Sequence, residues 1–138
     1  QHQNLFSKVM TLDDIDDFYK LFKVSASEFW KTHYTFQKIS KSSAKQLSKS
    51  FIDLLLVNTI LPIKFNYSKH KGEVVDAAIV KTANQIKSEE NRIIDAFNDL
   101  KQVSKSALES QALIQLKTEY CDQNKCLKCA IGNQLLSE

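Results

Sequence analysis

The longest concentration of apolar positions lies between residues 43 and 71, and its spacing predicts one long helix. Steps of three and four residues connect Leu47, Phe51, Leu54, Asn58, Leu61 and Phe65, which is the spacing of one helix face. Other apolar residues fill the remaining faces between 51 and 65, so we expect this helix to be buried at the centre of the fold. Pro62 removes one backbone hydrogen bond and predicts a kink, and Gly72 predicts the end of the helix.

Shorter helical patterns lie on both sides of this segment. Thr11 is a candidate N-cap ahead of an acidic first turn, and Ser25 with Glu28 fits a capping box. Ser88 is a cap candidate for a later helix, and Gly132 predicts the end of the last one. We therefore expect an all-α fold, a compact bundle of seven or eight helices around the Pro-kinked central helix (about 43–71), forming a single domain over residues 1–138.

Composition supports the helical prediction and excludes several classes of protein. The 138 residues include only 2 Gly and 1 Pro, which disfavours β-rich folds with their glycine-dependent turns. Two isolated glycines cannot form a P-loop or a dinucleotide-binding fingerprint. The longest apolar run is interrupted by polar residues before it reaches the roughly 18 positions of a membrane span. We expect no membrane partner.

The charge of the chain is unevenly distributed. Residues 31–71 contain eight lysines and one acid, Asp53, a net of +7, whereas the whole chain carries +3. Four of these lysines are candidate phosphate contacts, and three of the four recur every fourth residue as on one helix face: Lys38, Lys41, Lys45 and Lys49. Aromatic residues interleave with them, which suits a nucleic-acid interface; the alternative is a solvated lysine face. Because the chain has one arginine, Arg92, contacts to nucleic acid would address the backbone rather than base edges.

Three cysteines near the end of the chain form a C-x4-C-x2-C pattern: Cys121, Cys126 and Cys129. This spacing allows three thiolates to converge on zinc or an iron–sulfur cluster, although a closed zinc site needs a fourth ligand. The alternatives are three buried side chains that fix the last helix, or a disulfide formed in the purified protein. We expect no cofactor unless the thiols hold a metal. The odd number of cysteines favours a reducing, cytoplasmic setting.

The apolar stripe of the long helix includes one amide, Asn58, four residues before Pro62. We expect this buried polar group to hydrogen-bond the kinked backbone or a neighbouring helix, or else to contact a ligand. No Ser/His/Asp, Cys/His or paired-carboxylate arrangement is recognisable by spacing, so we predict no catalytic residues. An enzyme contained within these residues is the least favoured function.

Several runs of residues resemble a bacterial family of unknown function, domain-of-unknown-function family 2851. They are Ala26–Trp30 with Thr32–Tyr34, Ser50–Asp53 with Val57–Pro62, Ser110–Leu116, and Tyr120–Asn133 with its three cysteines. The resemblance implies that the chain is the C-terminal portion of a longer protein, whose N-terminal portion would be its natural partner. It implies no particular activity and no functional residue.

Three functions remain open from the sequence. We expect first a non-catalytic helical interaction or support domain of a larger cytoplasmic bacterial protein. The second is a nucleic-acid-binding accessory module that uses the 31–71 lysine-rich face. The third is a domain that carries a metal or cluster on its cysteines.

Overall fold

The computed structural model describes residues 4–137, and most of them are helical, as predicted. Their contacts group into two compact units, one ending at Thr82 and the other beginning at Ala83. Among the described residues, no helix has both the length and the apolar content required to cross a membrane.

The first unit contains a short hairpin as well as helices. Its elements are α1 (Leu5–Thr11), α2 (Ile15–Phe22), α3 (Glu28–Lys31), β1 (His33–Thr35), β2 (Lys38–Ile39), α4 (Lys49–Leu55), a π-helical turn (Leu56–Ile60) and α5 (Leu61–His70). The next helix, α6 (Asp76–Gln85), contains the boundary between the units. β1 and β2 pair in antiparallel orientation with an irregular register. The sequence did not predict this hairpin.

The second unit is built from three α-helices and two short helical turns. In chain order they are α7 (Arg92–Leu100), α8 (Ala107–Leu116), a π-helical turn (Lys117–Cys121), a 3₁₀ turn (Cys126–Lys128) and α9 (Ala130–Leu136). Gly132 was expected to end the last helix, but it lies inside α9.

The predicted long helix exists, but it begins later than position 43. The continuous helical segment runs from Lys49 to His70 and is capped by Ser48, whose hydroxyl accepts a hydrogen bond from the Phe51 N–H at 3.2 Å. Residues just before it pair with another segment instead: the Ala26 N–H donates to the Lys45 carbonyl at 2.8 Å, and Gln46 forms an isolated antiparallel bridge with Ser25. The predicted end is confirmed, since Gly72 adopts the left-handed φ of 75° that commonly follows a helix.

Pro62 disturbs the long helix one turn before its own position. Without a proline N–H, the helix cannot continue its regular hydrogen-bond ladder. The backbone forms the π-helical turn instead, in which the Leu61 N–H donates to the Leu56 carbonyl. Asn58 lies in this turn, and its side-chain amide donates to the Leu54 carbonyl at 3.1 Å. The expected backbone contact is therefore present, but the prediction that Asn58 is buried is wrong, because the residue is exposed.

The long helix is buried on one side only, which corrects the prediction of a fully buried central helix. Phe51 and Leu54, both on the predicted core stripe, are 48% and 49% exposed. The buried positions are Ile52, Leu56, Ile60, Leu61, Lys64 and Ser68. Together with Val9, Ile15 and Phe18 from α1 and α2, the apolar members of this row form the core of the first unit.

Several helix caps differ from those predicted. Thr11 is the last residue of α1, and Asp14 caps α2 instead, accepting from the Asp16 N–H. Ser27 rather than Ser25 precedes α3, and Asn91 rather than Ser88 caps α7. The complete capping box is at α8, between Ser106 and Glu109. The backbone N–H of Lys105, and with it that of Ser106, lowers the pKa of the Glu109 carboxyl.

Candidate functional site

Residues 28–46, between α2 and α4, carry the most exposed aromatic side chains of the first unit. We term this segment the basic aromatic hairpin. It contains α3, β1, β2 and most of the irregular segment that leads to α4. Backbone hydrogen bonds close it at its base: Ser40 N–H donates to the Thr32 carbonyl at 2.7 Å, and Ser43 N–H donates to the Lys31 carbonyl at 2.9 Å. These bonds order the segment and hold its side chains in defined positions.

Four rings form one cluster on this hairpin. Phe29 stacks on the His33 imidazole, with ring centroids 4.1 Å apart and planes 8° from parallel. Trp30 meets Phe29 edge-on at 5.0 Å and Phe36 at 5.1 Å. Phe36 is 79% exposed although its ring touches Trp30. The cluster therefore fixes a phenyl ring whose outer face is open to solvent.

A second exposed ring, Tyr34, is supported by a lysine. The Lys45 ammonium lies 3.5 Å from the centre of the Tyr34 ring, a cation–π contact, and donates a hydrogen bond to the His33 carbonyl. Tyr34 is 73% exposed. Lys45 thus contributes to ordering the hairpin as well as to its charge.

The four lysines proposed as phosphate contacts do not share one helix face. Lys41 and Lys45 precede α4, and only Lys49 is helical, so the predicted four-residue helical spacing does not apply to them. Lys49 lies 4.8 Å from the Tyr19 ring of α2. Lys38 and Lys41 are exposed on the hairpin and form no ion pair within residues 4–137. The structure therefore brings Lys38, Lys41 and Lys45 to the hairpin and places Lys49 apart from them.

Lys64, in the same basic segment, is buried and so is not part of a lysine face. Only 3% of the residue is exposed. Its ammonium contacts the Asp13 carboxylate at 2.8 Å and donates to the Leu12 carbonyl. The Thr82 hydroxyl of α6 donates to the Ala78 carbonyl at 2.9 Å and lies 3.4 Å from the Asp13 carbonyl. This lysine joins α5 to the segment between α1 and α2, and sequence patterning did not reveal that role.

A neighbouring polar contact joins α2 to α4. The Tyr19 hydroxyl donates to the Asp53 carboxylate at 2.6 Å. Burial, reinforced by this hydrogen bond to a carboxylate, raises the pKa of Tyr19 well above its ordinary value. Asp53, the single acid of the 31–71 segment, is engaged by this contact.

The three cysteines all line one cavity of about 230 Å³ in the second unit. Its other walls are apolar or aromatic side chains from α7, α8 and α9, among them Phe97, Leu116 and Leu135. Cys121 and Cys126 are exposed and Cys129 is half-buried, so their interpretation as three buried side chains is wrong. All three thiols are unpaired. The spacing therefore predicted their proximity but not their exposure.

The cysteines do not form a metal-ligand set in this conformation. Within the part of the chain that the structure describes, no group of three or more His, Cys, Asp or Glu side chains converges so that it could hold an ion. Zinc and iron–sulfur sites require such convergence, with metal–sulfur distances of about 2.3 Å for zinc.

We expect freshly purified, untagged protein to contain less than about a tenth of an equivalent of zinc or iron, because the thiols are not arranged as ligands. Elemental analysis after desalting measures this directly. The matched control is the Cys126→Ser/Cys129→Ser variant, which should show the same low content. Stoichiometric metal in the wild type that disappears in this variant would contradict the expectation.

Gly132 brings α9 into close contact with the cysteine segment. A Cβ atom at this position would lie 2.4 Å from the Cys126 carbonyl oxygen and 2.9 Å from its carbonyl carbon. Backbone atoms cannot move aside as a flexible side chain can. Glycine therefore permits the approach of α9 to the 3₁₀ turn beside the cavity.

These features define a helical protein with an exposed basic aromatic hairpin in one unit and a cysteine-lined apolar cavity in the other. The family described as "Protein of unknown function (DUF2851)" matches residues 1–92, and the chain belongs to this family. This confirms the resemblance drawn from the sequence, although the runs at 110–116 and 120–133 lie beyond the matched residues. Comparisons with curated proteins and with solved structures found no significant match.

Proposed function

We propose that the chain is a non-catalytic interaction domain of a larger cytoplasmic bacterial protein and that it binds nucleic acid through the basic aromatic hairpin. The observation that carries this proposal is that two lysines, Lys38 and Lys41, which form no ion pair within residues 4–137, lie on the same hairpin as exposed aromatic rings. Lys38 is the first residue of β2 and Lys41 follows that strand; both are exposed, and Tyr34 and Phe36 are 73% and 79% exposed. Cationic side chains next to open aromatic faces are the two elements of a nucleic-acid contact surface.

The charge of the surrounding segment favours a polyanionic partner. Residues 31–71 carry a net +7, of which one charge, that of the buried Lys64, is paired with Asp13; their single acid, Asp53, is engaged by Tyr19. Binding of lysines to phosphates releases condensed counterions, which provides affinity at low ionic strength. Lysine ammonium groups act as point charges without the bidentate geometry of arginine. The proposed binding is therefore directed at the backbone and is independent of base sequence.

A support role within the larger protein is the second candidate, and the outer side of the long helix favours it. Phe51, Leu54 and Ile63 are each nearly half exposed. A surface of this kind suits contact with the N-terminal portion that would precede the chain. Failure to bind nucleic acid, together with co-purification of the chain with that portion, would favour this role over the first.

A salt titration tests the nucleic-acid proposal. We expect a fluorescently labelled oligonucleotide of about 20 residues to bind at about 50 mM salt and to dissociate steeply as salt rises. The Lys38→Gln/Lys41→Gln variant should bind more weakly, and the slope of log K against log salt should decrease by about 1.4 for two lost contacts to a single strand. Fluorescence anisotropy measures both quantities.

The matched control removes the same charge elsewhere. Lys81→Gln/Lys101→Gln replaces two exposed lysines outside the hairpin, and it should retain the wild-type slope. If both variants lost the same affinity and salt slope, binding would depend on net charge alone and not on the hairpin. Absence of binding by the wild-type chain at about 50 mM salt would overturn the proposal.

A further inference from the structure

We infer that the hairpin binds single-stranded nucleic acid, with bases stacked on the exposed rings of Phe36 and Tyr34. This inference rests on the proposed function and specifies its ligand. Lysines that contact phosphates can bind duplex and single-stranded nucleic acid equally well. Exposed aromatic rings, in contrast, can stack only on bases whose faces are accessible. In a duplex those faces are covered by neighbouring base pairs. The exposed rings therefore discriminate between the two ligands.

The ring of Phe36 packs against two other aromatic rings of the hairpin. Trp30 contacts it at 5.1 Å with planes 61° apart, and Phe29 lies 5.9 Å from it. A side chain that is already ordered loses little conformational freedom when a ligand binds. Because 79% of Phe36 remains exposed, its ring offers an accessible face to a base.

Tyr34 provides a second stacking position with a different support. Its contact is the Lys45 ammonium, 3.5 Å from the ring centre, and this ammonium is itself anchored to the His33 carbonyl. Among the described residues, Trp30 and Phe29, which support Phe36, make no ring contact with Tyr34. The hairpin thus carries two separately supported rings, with Lys38 and Lys41 available to the phosphates between or beside the stacked bases.

The chain contains its own reporter for this site. Trp30 is the single tryptophan of the sequence and touches Phe36. A base that stacks on Phe36 changes the surroundings of the indole, so binding should alter tryptophan fluorescence. Contact with phosphates at Lys38 and Lys41 alone should change anisotropy of a labelled oligonucleotide without that change in Trp30 emission.

The experiment compares four probes on the full chain: a thymidine 20-mer, a 20-base-pair duplex, an abasic deoxyribose-phosphate 20-mer, and poly-L-glutamate. We expect the thymidine strand to bind about tenfold or more tighter than any other probe and to change Trp30 fluorescence. Phe36→Ala and Tyr34→Ala should each weaken binding of the thymidine strand by about 5- to 150-fold. Neither variant should change binding of the abasic strand.

Phe51→Ala is the matched control, since it removes a phenyl ring that is 48% exposed on α4, away from the hairpin. It should leave binding of the thymidine strand unchanged. Circular dichroism checks that each variant is folded, which we expect because Tyr34 and Phe36 are largely exposed.

The outcomes separate this inference from the proposed function. If duplex, abasic and thymidine probes bind equally and the aromatic variants are unaffected, the single-strand inference is wrong and backbone binding stands. If no nucleic-acid probe binds, both are wrong. If poly-L-glutamate binds as tightly as the thymidine strand, the hairpin is a surface for acidic protein and both nucleic-acid statements fail.

Discussion

Asp13→Ala is expected to lower the free energy of unfolding by about 3 kcal/mol. Within residues 4–137 the Asp13 carboxylate is the one acidic partner of Lys64, at 2.8 Å. The Lys64 side chain is 4% exposed, whereas that of Asp13 is 68% exposed. Removing the carboxylate leaves an ammonium in the core with the Leu12 carbonyl as its remaining acceptor. A buried charge without its counter-ion is among the most costly defects in a folded protein. Urea denaturation followed by circular dichroism measures the loss.

Substitution of the other partner, Lys64, should lower the free energy of unfolding much less, because the two partners are buried to different extents. Lys64→Met replaces the buried ammonium with an apolar side chain of similar length and leaves a carboxylate that water can solvate. We expect a cost of about 1 kcal/mol, from the Leu12 carbonyl that loses its donor. Asp16→Asn, on the exposed first turn of α2, is the charge control and should cost a few tenths of a kcal/mol. Equal losses for Asp13→Ala and Lys64→Met would contradict this account.

Gly132→Ala is expected to destabilise the protein by about 2 kcal/mol, although alanine is normally favoured inside a helix. The added methyl group would lie 2.4 Å from the Cys126 carbonyl oxygen, so α9 must move away from the 3₁₀ turn. The displacement should open the cysteine-lined cavity and accelerate reaction of the Cys129 thiol with a thiol reagent. Denaturation and thiol-modification rates measure the two effects.

Gly72→Ala separates steric conflict from backbone strain. No atom lies within 4 Å of a Cβ at that position, but its φ of 75° is unfavourable for alanine. We expect a cost of about 1 kcal/mol and no change in thiol reactivity. A neutral or stabilising Gly132→Ala variant would show that α9 can shift without penalty.

The long helix shows how far periodicity alone can predict this fold. Apolar spacing identified the helix and Gly72 identified its end, because those signals are local. The prediction of which face is buried was wrong, because apolar residues occupy nearly every side of the helix between 51 and 65. The pattern therefore does not indicate which side faces the core. Burial of Lys64 was not predictable, since its partner Asp13 lies 51 positions earlier in the chain.

The candidate site was only partly predictable for a similar reason. The basic segment and its interleaved aromatics were visible in the sequence, but the lysines were placed on a helix that the structure does not form there. β1 and β2 are three and two residues long and contain no glycine at their turn, so they lack the usual hairpin signal. The β-branched and aromatic residues of 33–39 were the available indication of two strands. The cysteine spacing, in contrast, indicated that three thiols lie near one another, but not that they line a cavity.

The π-helical turn sets the direction in which Lys64 points. An α-helix advances about 100° per residue, so a row that repeats every four residues rotates by about 40° at each step. From Ile52 to Ser68 the row takes four such steps, so in a regular helix its last member would lie about 160° from its first, nearly on the opposite side of the axis. A π turn contains about one extra residue and cancels roughly 100° of that rotation. The proline that interrupts the helix thereby keeps Ile52, Leu56, Ile60, Lys64 and Ser68 on one side.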